Sequence, residues 1–251
     1  MSNLGSSGEV RARTLTPFLR GIFLLFDQRE RPAYAASAGF RLLVIVLVLE
    51  LVIGPRTHVL ELFGLPQPPT WLRITTLLLE ALVAVRLWAN LQLREVGFLS
   101  PLNWTPTEQI YFLQIVAGAG VAFVAMRGAA LGLMQGDQAS WLAAAVLVGP
   151  QLLWGFYQEV IYRGLLQTEL TRRWGGVAGV LLANLAFTFG PLHFYHLLAM
   201  RPETMNATIV LIAATFAIGL LFAFIFHRTR NIWLVGEMHG IGNAFMNTLG
   251  S

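Results

Sequence analysis

The sequence lacks two residue types that many reactive and binding sites use. It contains no cysteine, which excludes disulfides, thiolate metal sites and a cysteine nucleophile. It contains no lysine, so all 17 basic residues are arginine. Charged residues make up only 12% of the chain, about half the share of an average soluble domain. Hydrophobic residues make up 56% and the mean hydropathy is +0.63, a composition that predicts a polytopic membrane protein.

Apolar segments long enough to cross a bilayer recur along the chain. A helix needs about 20 apolar residues to span the hydrocarbon, and seven segments are candidates: 38–54, 71–93, 108–126, 140–171, 176–199, 207–226 and 231–249. Short connections rich in glycine and proline separate them and leave no room for a soluble domain. The pattern predicts an all-α transmembrane helical bundle of about seven to eight membrane helices.

The whole chain, 1–251, is expected to form a single membrane-embedded domain. We divide it into an N-terminal tail with an interfacial helix (1–37), supporting helices (38–139) and a C-terminal core (140–251). The run from Leu15 to Phe26 is interrupted by Arg20, which favours a helix lying on the membrane over a signal peptide. With the N-terminus inside, eleven arginines lie on the inner side and three on the outer side, which predicts a cytoplasmic N-terminus in a bacterial inner membrane.

Ionisable residues inside these segments are few. Each costs about 2.5–3.5 kcal/mol at the bilayer centre on insertion scales, so each needs a partner or a task. Pairs spaced i,i+4, which share a helix face, occur on three segments: Glu159 with Arg163 on the fourth, Phe189 with His193 on the fifth, and His239 with Asn243 on the seventh. Any single pair is explained equally well as polar contact between helices. Together they predict convergence on a hydrated pocket whose carboxylate, imidazoles and amide suit hydrolysis.

Other polar and small residues have simpler interpretations. Glu50, Arg73, Glu80 and Arg86 are expected to pair or to reach an interface. Glu169, followed by Arg172 and Arg173, is expected to form an exposed ion pair. Small residues allow helices to approach closely, and the sequence offers such sites at Gly118-Ala119-Gly120 and at Gly175-x-x-x-Gly179.

The polar pairs also carry a resemblance to a known family. They resemble the signature of the CPBP family, the CAAX-protease and bacteriocin-processing (Abi) membrane proteases, whose pattern is Glu-Glu-x-x-x-Arg, Phe-x-x-x-His and His-x-x-x-Asn. The matching residues are Gln158-Glu159-Val-Ile-Tyr162-Arg163-Gly164, Phe189-x-x-x-His193 and His239-x-x-x-Asn243. They stand in the family's order on apolar segments, and the resemblance covers the C-terminal core.

The resemblance implies a glutamic-type intramembrane endopeptidase without a cofactor. The implied roles fall on six positions: water activation on Gln158 and His193, support of that site on Glu159 and Arg163, and oxyanion binding on His239 and Asn243. A zinc site is conceivable from Glu159 and His193 with His239 or His196. The H-E-x-x-H helix pattern that would support zinc is absent from the sequence, so we expect no metal.

The chain departs from the family pattern at Gln158, where the family has its first glutamate. An amide cannot take a proton from water, and loss of a general base costs on the order of 100- to 10,000-fold in rate. Three explanations stay open. Glu159 acts as the base while Gln158 orients the water, the residue is an introduced substitution that inactivates the enzyme, or the chain is a natural pseudoprotease.

The expected function is hydrolysis of a peptide bond near the C-terminal or membrane-anchored part of a protein substrate. The partners are then a membrane-anchored or lipid-modified protein and membrane lipids, without nucleic acid. Two rival classes are a catalytically inactive membrane binding partner and a proton-coupled transporter, in which buried carboxylates and histidines relay protons. Transporter sites usually have broken helices or paired repeats, and the sequence indicates neither.

Overall fold

The described residues are all helix, turn and loop, with no strand among them. The structure is a computed structural model and describes residues 39–53, 63–64, 66, 68–128, 138–190, 197 and 201–247. The predicted interfacial helix at 15–26 lies outside these residues. The all-α prediction is confirmed for the described part of the chain.

Within the described residues, seven α-helices overlap the seven apolar segments. Their bounds are α1 Phe40–Val48, α2 Thr70–Val83, α3 Pro106–Arg127, α4 Gln138–Glu159, α5 Thr168–Phe189, α6 Met205–Thr229 and α7 Ile232–Asn247. Wider π-helical turns extend α1 over Leu49–Ile53 and α2 over Ala84–Trp88, and a third, Val160–Gln167, joins α4 to α5. Short 3-10 turns occupy Leu93–Val96 and Pro101–Asn103.

Three stretches within the described residues are long and apolar enough to cross a membrane. They are Pro106–Met126, Ser140–Phe189 and Met205–Thr229. Much of their apolar surface points outward, as expected for helices whose surroundings are lipid. The chain is therefore a membrane protein, while the count of seven to eight membrane helices stays a prediction.

Gly175 reverses the chain within the longest helical stretch. Its backbone angles, φ 83° and ψ 169°, lie in a region that essentially only glycine occupies. After this turn, Gly179 packs directly against Thr171. A straight helix would place residues eight apart about 12 Å from each other along its axis, so this contact requires that the chain fold back. The predicted break at Gly175-Gly176 thus separates the fourth and fifth segments.

Glycines bring α4 and α7 into backbone contact. A Cβ atom added at Gly155 on α4 would lie 2.7 Å from the Gly236 carbonyl oxygen and 2.7 Å from the Gly240 Cα on α7. The two helices therefore touch through their backbones at this level. By contrast, Gly118 and Gly120, which the sequence offered as sites of close approach, have no atom of the described structure within 4 Å of such a Cβ.

The part of the chain before α4 forms hydrogen bonds with the start of α7. The backbone N–H of Ile232 donates to the Gly97 carbonyl at 2.9 Å, and the Asn231 side chain donates to Glu108 at 3.3 Å. Glu108 is fully buried and also caps α3 through Thr105, whose backbone N–H donates to it at 2.7 Å. These contacts fix the position of α7, and hence of the residues that it carries, relative to the rest of the bundle.

Candidate functional site

The site begins where α4 ends and its π-helical extension starts. Gln158 and Glu159 are the last residues of α4, and Arg163 lies in the segment Val160–Gln167, every residue of which is buried. A π-helical turn has wider i→i+5 hydrogen bonding, and such turns are frequent at functional sites. The buried segment holds its polar side chains inside the bundle, where they must find partners.

A hydrogen bond joins Glu159 to His239 across α4 and α7. The distance from Glu159 Oε1 to His239 Nδ1 is 2.7 Å, although the residues are 80 positions apart in the sequence. Glu159 is 0% exposed and His239 is 8% exposed. Gly155 lies one helical turn before Glu159, and Gly240 follows His239 in the chain. The glycine contact between the helices therefore sets the distance that this hydrogen bond needs.

Arg163 engages the other oxygen of the same carboxylate. Its Nε donates to Glu159 Oε2 at 3.1 Å, and its Nη2 donates to the Gly219 carbonyl on α6 at 3.0 Å. The guanidinium carbon also lies 5.0 Å from the centre of the Phe187 ring. Both charged side chains are completely buried. Removal of one partner from such a pair would leave an uncompensated charge at a cost of about 3–5 kcal/mol.

The contacts of Glu159 fix the proton on His239. A carboxylate paired with arginine is ionised and only accepts hydrogen bonds, so His239 Nδ1 is the donor in the 2.7 Å contact. The Nε2 atom is then the nitrogen left to act on another molecule. Aromatic rings position the imidazole on two sides, with Phe187 edge-on at 5.5 Å and Phe222 at 5.3 Å between ring centres. This arrangement holds His239 in one orientation.

Two amide side chains at motif positions carry buried atoms without a partner. Gln158 is 3% exposed, and within the described residues its Oε1 has no hydrogen-bond donor. The Nδ2 of Asn243, one turn after His239 on α7, likewise has no acceptor in the described part of the chain. Buried polar groups are rarely left unpaired, and such exceptions indicate a water molecule or a ligand.

The described structure brings together part of the predicted site. Glu159, Arg163 and His239 are in direct contact. His193 and His196 lie outside the described residues, and Phe189, the residue paired with His193 in the second motif, is 46% exposed. Among the described residues, no group of three or more His, Asp or Glu side chains is arranged to hold a metal ion. Two of the four conceivable zinc ligands, His193 and His196, are not among these residues.

Glu50 is a buried carboxylate whose contact with the segment of this site is not predicted by the sequence. It lies in the π-helical turn after α1, is 3% exposed, and accepts a 2.7 Å hydrogen bond from the Tyr162 hydroxyl through Oε2. The only signal for it in the sequence was an ionisable residue at the end of an apolar segment. Because its partner is 112 positions away, the pairing depends on tertiary packing.

Glu169 corrects an expectation from the sequence. Its carboxylate is 0% exposed and accepts from Arg172 at 2.5 Å and from Arg173 at 2.6 Å, while the two arginine side chains are 31% and 36% exposed. The ion pair was expected on the surface, but only the two arginine side chains are partly exposed. The reversal at Gly175 packs the chain back against Thr171, two residues after Glu169.

Comparison with known proteins agrees with the motif resemblance. Residues 139–245 match the family described as type II CAAX prenyl endopeptidase Rce1-like, which is consistent with the CPBP resemblance. All six predicted site positions fall inside that range, while Glu50 and the supporting helices lie outside it. Neither the curated proteins nor the solved structures give a match to the chain.

Proposed function

We propose that the chain is an intramembrane endopeptidase, because its residues 139–245 match the type II CAAX prenyl endopeptidase Rce1-like family. Its substrate would be a membrane-anchored or prenylated protein, cut at a peptide bond near the C-terminal or membrane-anchored part. The family match implies a protease of membrane-bound substrates. The catalytic roles of individual residues go further and are our own proposal.

The observation that carries the proposal is the 2.7 Å contact between Glu159 and His239. These residues belong to motifs on different helices, and neighbouring glycines bring the two backbones together at this level. If Glu159 and His239 served only to pack two helices together, the carboxylate would not need to hold one imidazole nitrogen and leave the other without a contact to it. A hydrolytic site does require such a rigidly oriented histidine.

In this proposal Glu159 positions His239 and does not itself take a proton from water. Its two oxygens are each engaged, Oε1 by His239 and Oε2 by Arg163, and its side chain is 0% exposed. The alternative in which Glu159 is the base would require it to exchange one of these buried bonds for a water molecule. Such an exchange would leave a buried donor unpaired, at a cost of about 1–3 kcal/mol or more for a charged group.

His239 and Asn243 would bind the oxyanion that forms when water adds to the peptide carbonyl. Oxyanion binding by His239 would require a hydrogen on Nε2 in addition to the Nδ1–H that Glu159 accepts, so this role belongs to the imidazolium form. The Asn243 amide presents an N–H without an acceptor among the described residues. The two donors lie one turn apart on the same face of α7. Rigid donors aimed at a developing negative charge commonly contribute about 100- to 1,000-fold to the rate.

The test is cleavage of a prenylated peptide that ends in a CAAX motif by the purified full chain in lipid vesicles. Products are identified by mass spectrometry, for the chain as given and for Gln158→Glu, each with and without His239→Ala. We expect cleavage that falls at least about 100-fold on loss of His239. His227→Ala is the matched control, since this histidine packs against Gly176 and belongs to none of the three motifs.

The protease would be rejected by the absence of cleavage by both the given chain and Gln158→Glu, when thermal unfolding in detergent shows that both proteins are folded. Equal loss of activity in His239→Ala and His227→Ala would instead reject the catalytic role of His239, because it would show that histidine removal acts through stability.

Gln158 favours one rival, a membrane protein that binds the same substrates without cutting them. The family's base position is occupied by an amide, which cannot take a proton from water. In that case the given chain would retain a prenylated peptide in a vesicle-binding assay and leave it intact, whereas Gln158→Glu would cut it.

A further inference from the structure

The strongest feature outside the family match is the carboxylate of Glu50. Its side chain is 3% exposed, and Oε2 accepts from the Tyr162 hydroxyl at 2.7 Å. Its other oxygen, Oε1, has no donor anywhere in the described part of the chain. A buried carboxyl with one unpartnered oxygen is costly in a membrane protein, and such groups mark functional sites by default.

Two contacts attach the α1 extension to residues on either side of Gln158 in the chain, the position where the family has its first glutamate. The Tyr157 hydroxyl donates to the Leu49 carbonyl at 3.3 Å, and the Tyr162 hydroxyl donates to Glu50. Gln158 follows the first tyrosine directly and shares a helix stripe with the second, four residues on. Leu49 and Glu50, which are consecutive in the α1 extension, therefore bind one tyrosine before Gln158 in the chain and one tyrosine after it.

The surroundings connect Glu50 to the site described above. The Tyr162 ring packs edge-on against Phe187 at 5.2 Å between centres, and Phe187 packs edge-on against His239 at 5.5 Å. The Tyr162 hydroxyl also lies 3.0 Å from where a Cβ of Gly190 would be. Glu50, Tyr162 and His239 thus border one buried cluster.

The other carboxylates near this cluster are less suited to take a proton. Both oxygens of Glu159 are engaged by His239 and Arg163. Glu237 is 7% exposed and has an unpartnered Oε2 among the described residues. It precedes His239 by two positions on α7, which turns it about 200° around the helix and away from the site. Of these three carboxylates, Glu50 is therefore the best placed to take a proton.

On the premise of the proposed protease function, we propose that Glu50 supplies the proton-accepting carboxylate that Gln158 cannot. Glu50 Oε1 would take a proton from a water molecule, which Gln158 Oε1 helps to orient by accepting its other hydrogen. The water oxygen then bonds to the peptide carbonyl carbon, and the carbonyl oxygen becomes the oxyanion held by His239 and Asn243. Collapse of this intermediate breaks the C–N bond, and the leaving nitrogen receives the proton from Glu50.

The test moves the carboxylate between positions 50 and 158 and follows cleavage of the prenylated CAAX peptide in vesicles. Glu50→Gln removes the acid at nearly equal size, and we expect a loss of about 100- to 10,000-fold in kcat in the chain as given. In the Gln158→Glu background the same change should cost less than about 10-fold, because position 158 then holds the base. Glu80→Gln, on helix α2, is the matched control and should leave the rate within about 2-fold of its parent.

The outcomes separate this inference from the proposed function. Activity of the double variant Glu50→Gln/Gln158→Glu would show that loss of Glu50 does not prevent folding. Equal losses from Glu50→Gln in both backgrounds would overturn the inference and assign Glu50 a structural role. Cleavage by Gln158→Glu together with an inactive given chain would also overturn it, while the protease fold stands. Absence of cleavage by both parents would reject the proposed function, and the inference with it.

Discussion

The close approach of α4 and α7 makes a sharp prediction for Gly155→Ala. The added Cβ would lie 2.7 Å from both the Gly236 carbonyl oxygen and the Gly240 Cα, whereas ordinary contact begins near 3.4 Å. Both neighbours are backbone atoms, so no side-chain rotation relieves the overlap. The Gly240 backbone nitrogen lies closer still, so the helices must separate by at least about 0.7 Å at this level, because packed interiors have little free space.

This separation acts directly on the site. Glu159 lies one turn after Gly155, and His239 precedes Gly240, so the 2.7 Å hydrogen bond between them would lengthen to about 3.4 Å. Good N–H···O bonds have lengths of about 2.7–3.2 Å. We expect a loss of about 1–3 kcal/mol in unfolding free energy from overpacking. Since misplacement by about 1 Å can cost 100-fold in rate, activity should fall by about 10- to 100-fold.

Thermal unfolding in detergent and the cleavage rate measure the two effects on the same protein. Gly118→Ala on α3 is the matched control, because a Cβ there meets no described atom within 4 Å. Alanine is a better helix former than glycine by about 0.5–1 kcal/mol, so the control should be neutral or slightly stabilised. If Gly155→Ala behaves like Gly118→Ala in both measurements, the backbone contact does not set the site.

Three further changes test other parts of the structure by thermal unfolding. Arg163→Met should destabilise the protein by about 3–5 kcal/mol, because it leaves the Glu159 carboxylate buried without the guanidinium that pairs with it. Adding Glu159→Gln should recover part of this loss. If the losses of unfolding free energy in the two single variants simply add in the double variant, the pairing is contradicted. Gly175→Ala should cost about 1–3 kcal/mol, because alanine is strained at φ 83° and ψ 169°, and a neutral effect would argue against this turn. Thr105→Ala should cost about 1 kcal/mol through the lost N-cap of α3, whereas Thr105→Ser should retain the cap and most of the stability.

The helices could be predicted from the sequence, but the contacts between them could not. Long apolar runs separated by glycine and proline predict helix positions, and Gly175 marked the reversal correctly. The glycines that pack α4 on α7 were not identified, because a glycine has no side chain to reveal which face it lies on. The sequence also predicted close helix contact at Gly118 and Gly120, yet no atom of the described residues packs against either glycine.

In the candidate site, likewise, the contact within one helix could be predicted from the sequence, and the contacts between helices could not. The Glu159–Arg163 pair follows from i,i+4 spacing, which is a property of one helix. The second partner of this carboxylate, His239, comes from a helix 80 positions away, and its distance depends on packing. Glu50 was expected only to pair or to reach an interface, and its partner, Tyr162, could not be inferred from spacing.

These distant contacts change how the substitution at Gln158 should be interpreted. Three polar groups of the segment 139–245, which matches the family, have their hydrogen-bond partners in the part of the chain before it. The Tyr162 hydroxyl donates to Glu50, the Asn231 side chain donates to Glu108, and the Ile232 N–H donates to the Gly97 carbonyl. The matched segment therefore does not satisfy its own buried groups. If one of those outside partners is also a proton acceptor, the amide at position 158 does not make the site inactive. A judgement of activity from the three motifs alone would overlook the carboxylate that a neighbouring helix brings to the same buried cluster.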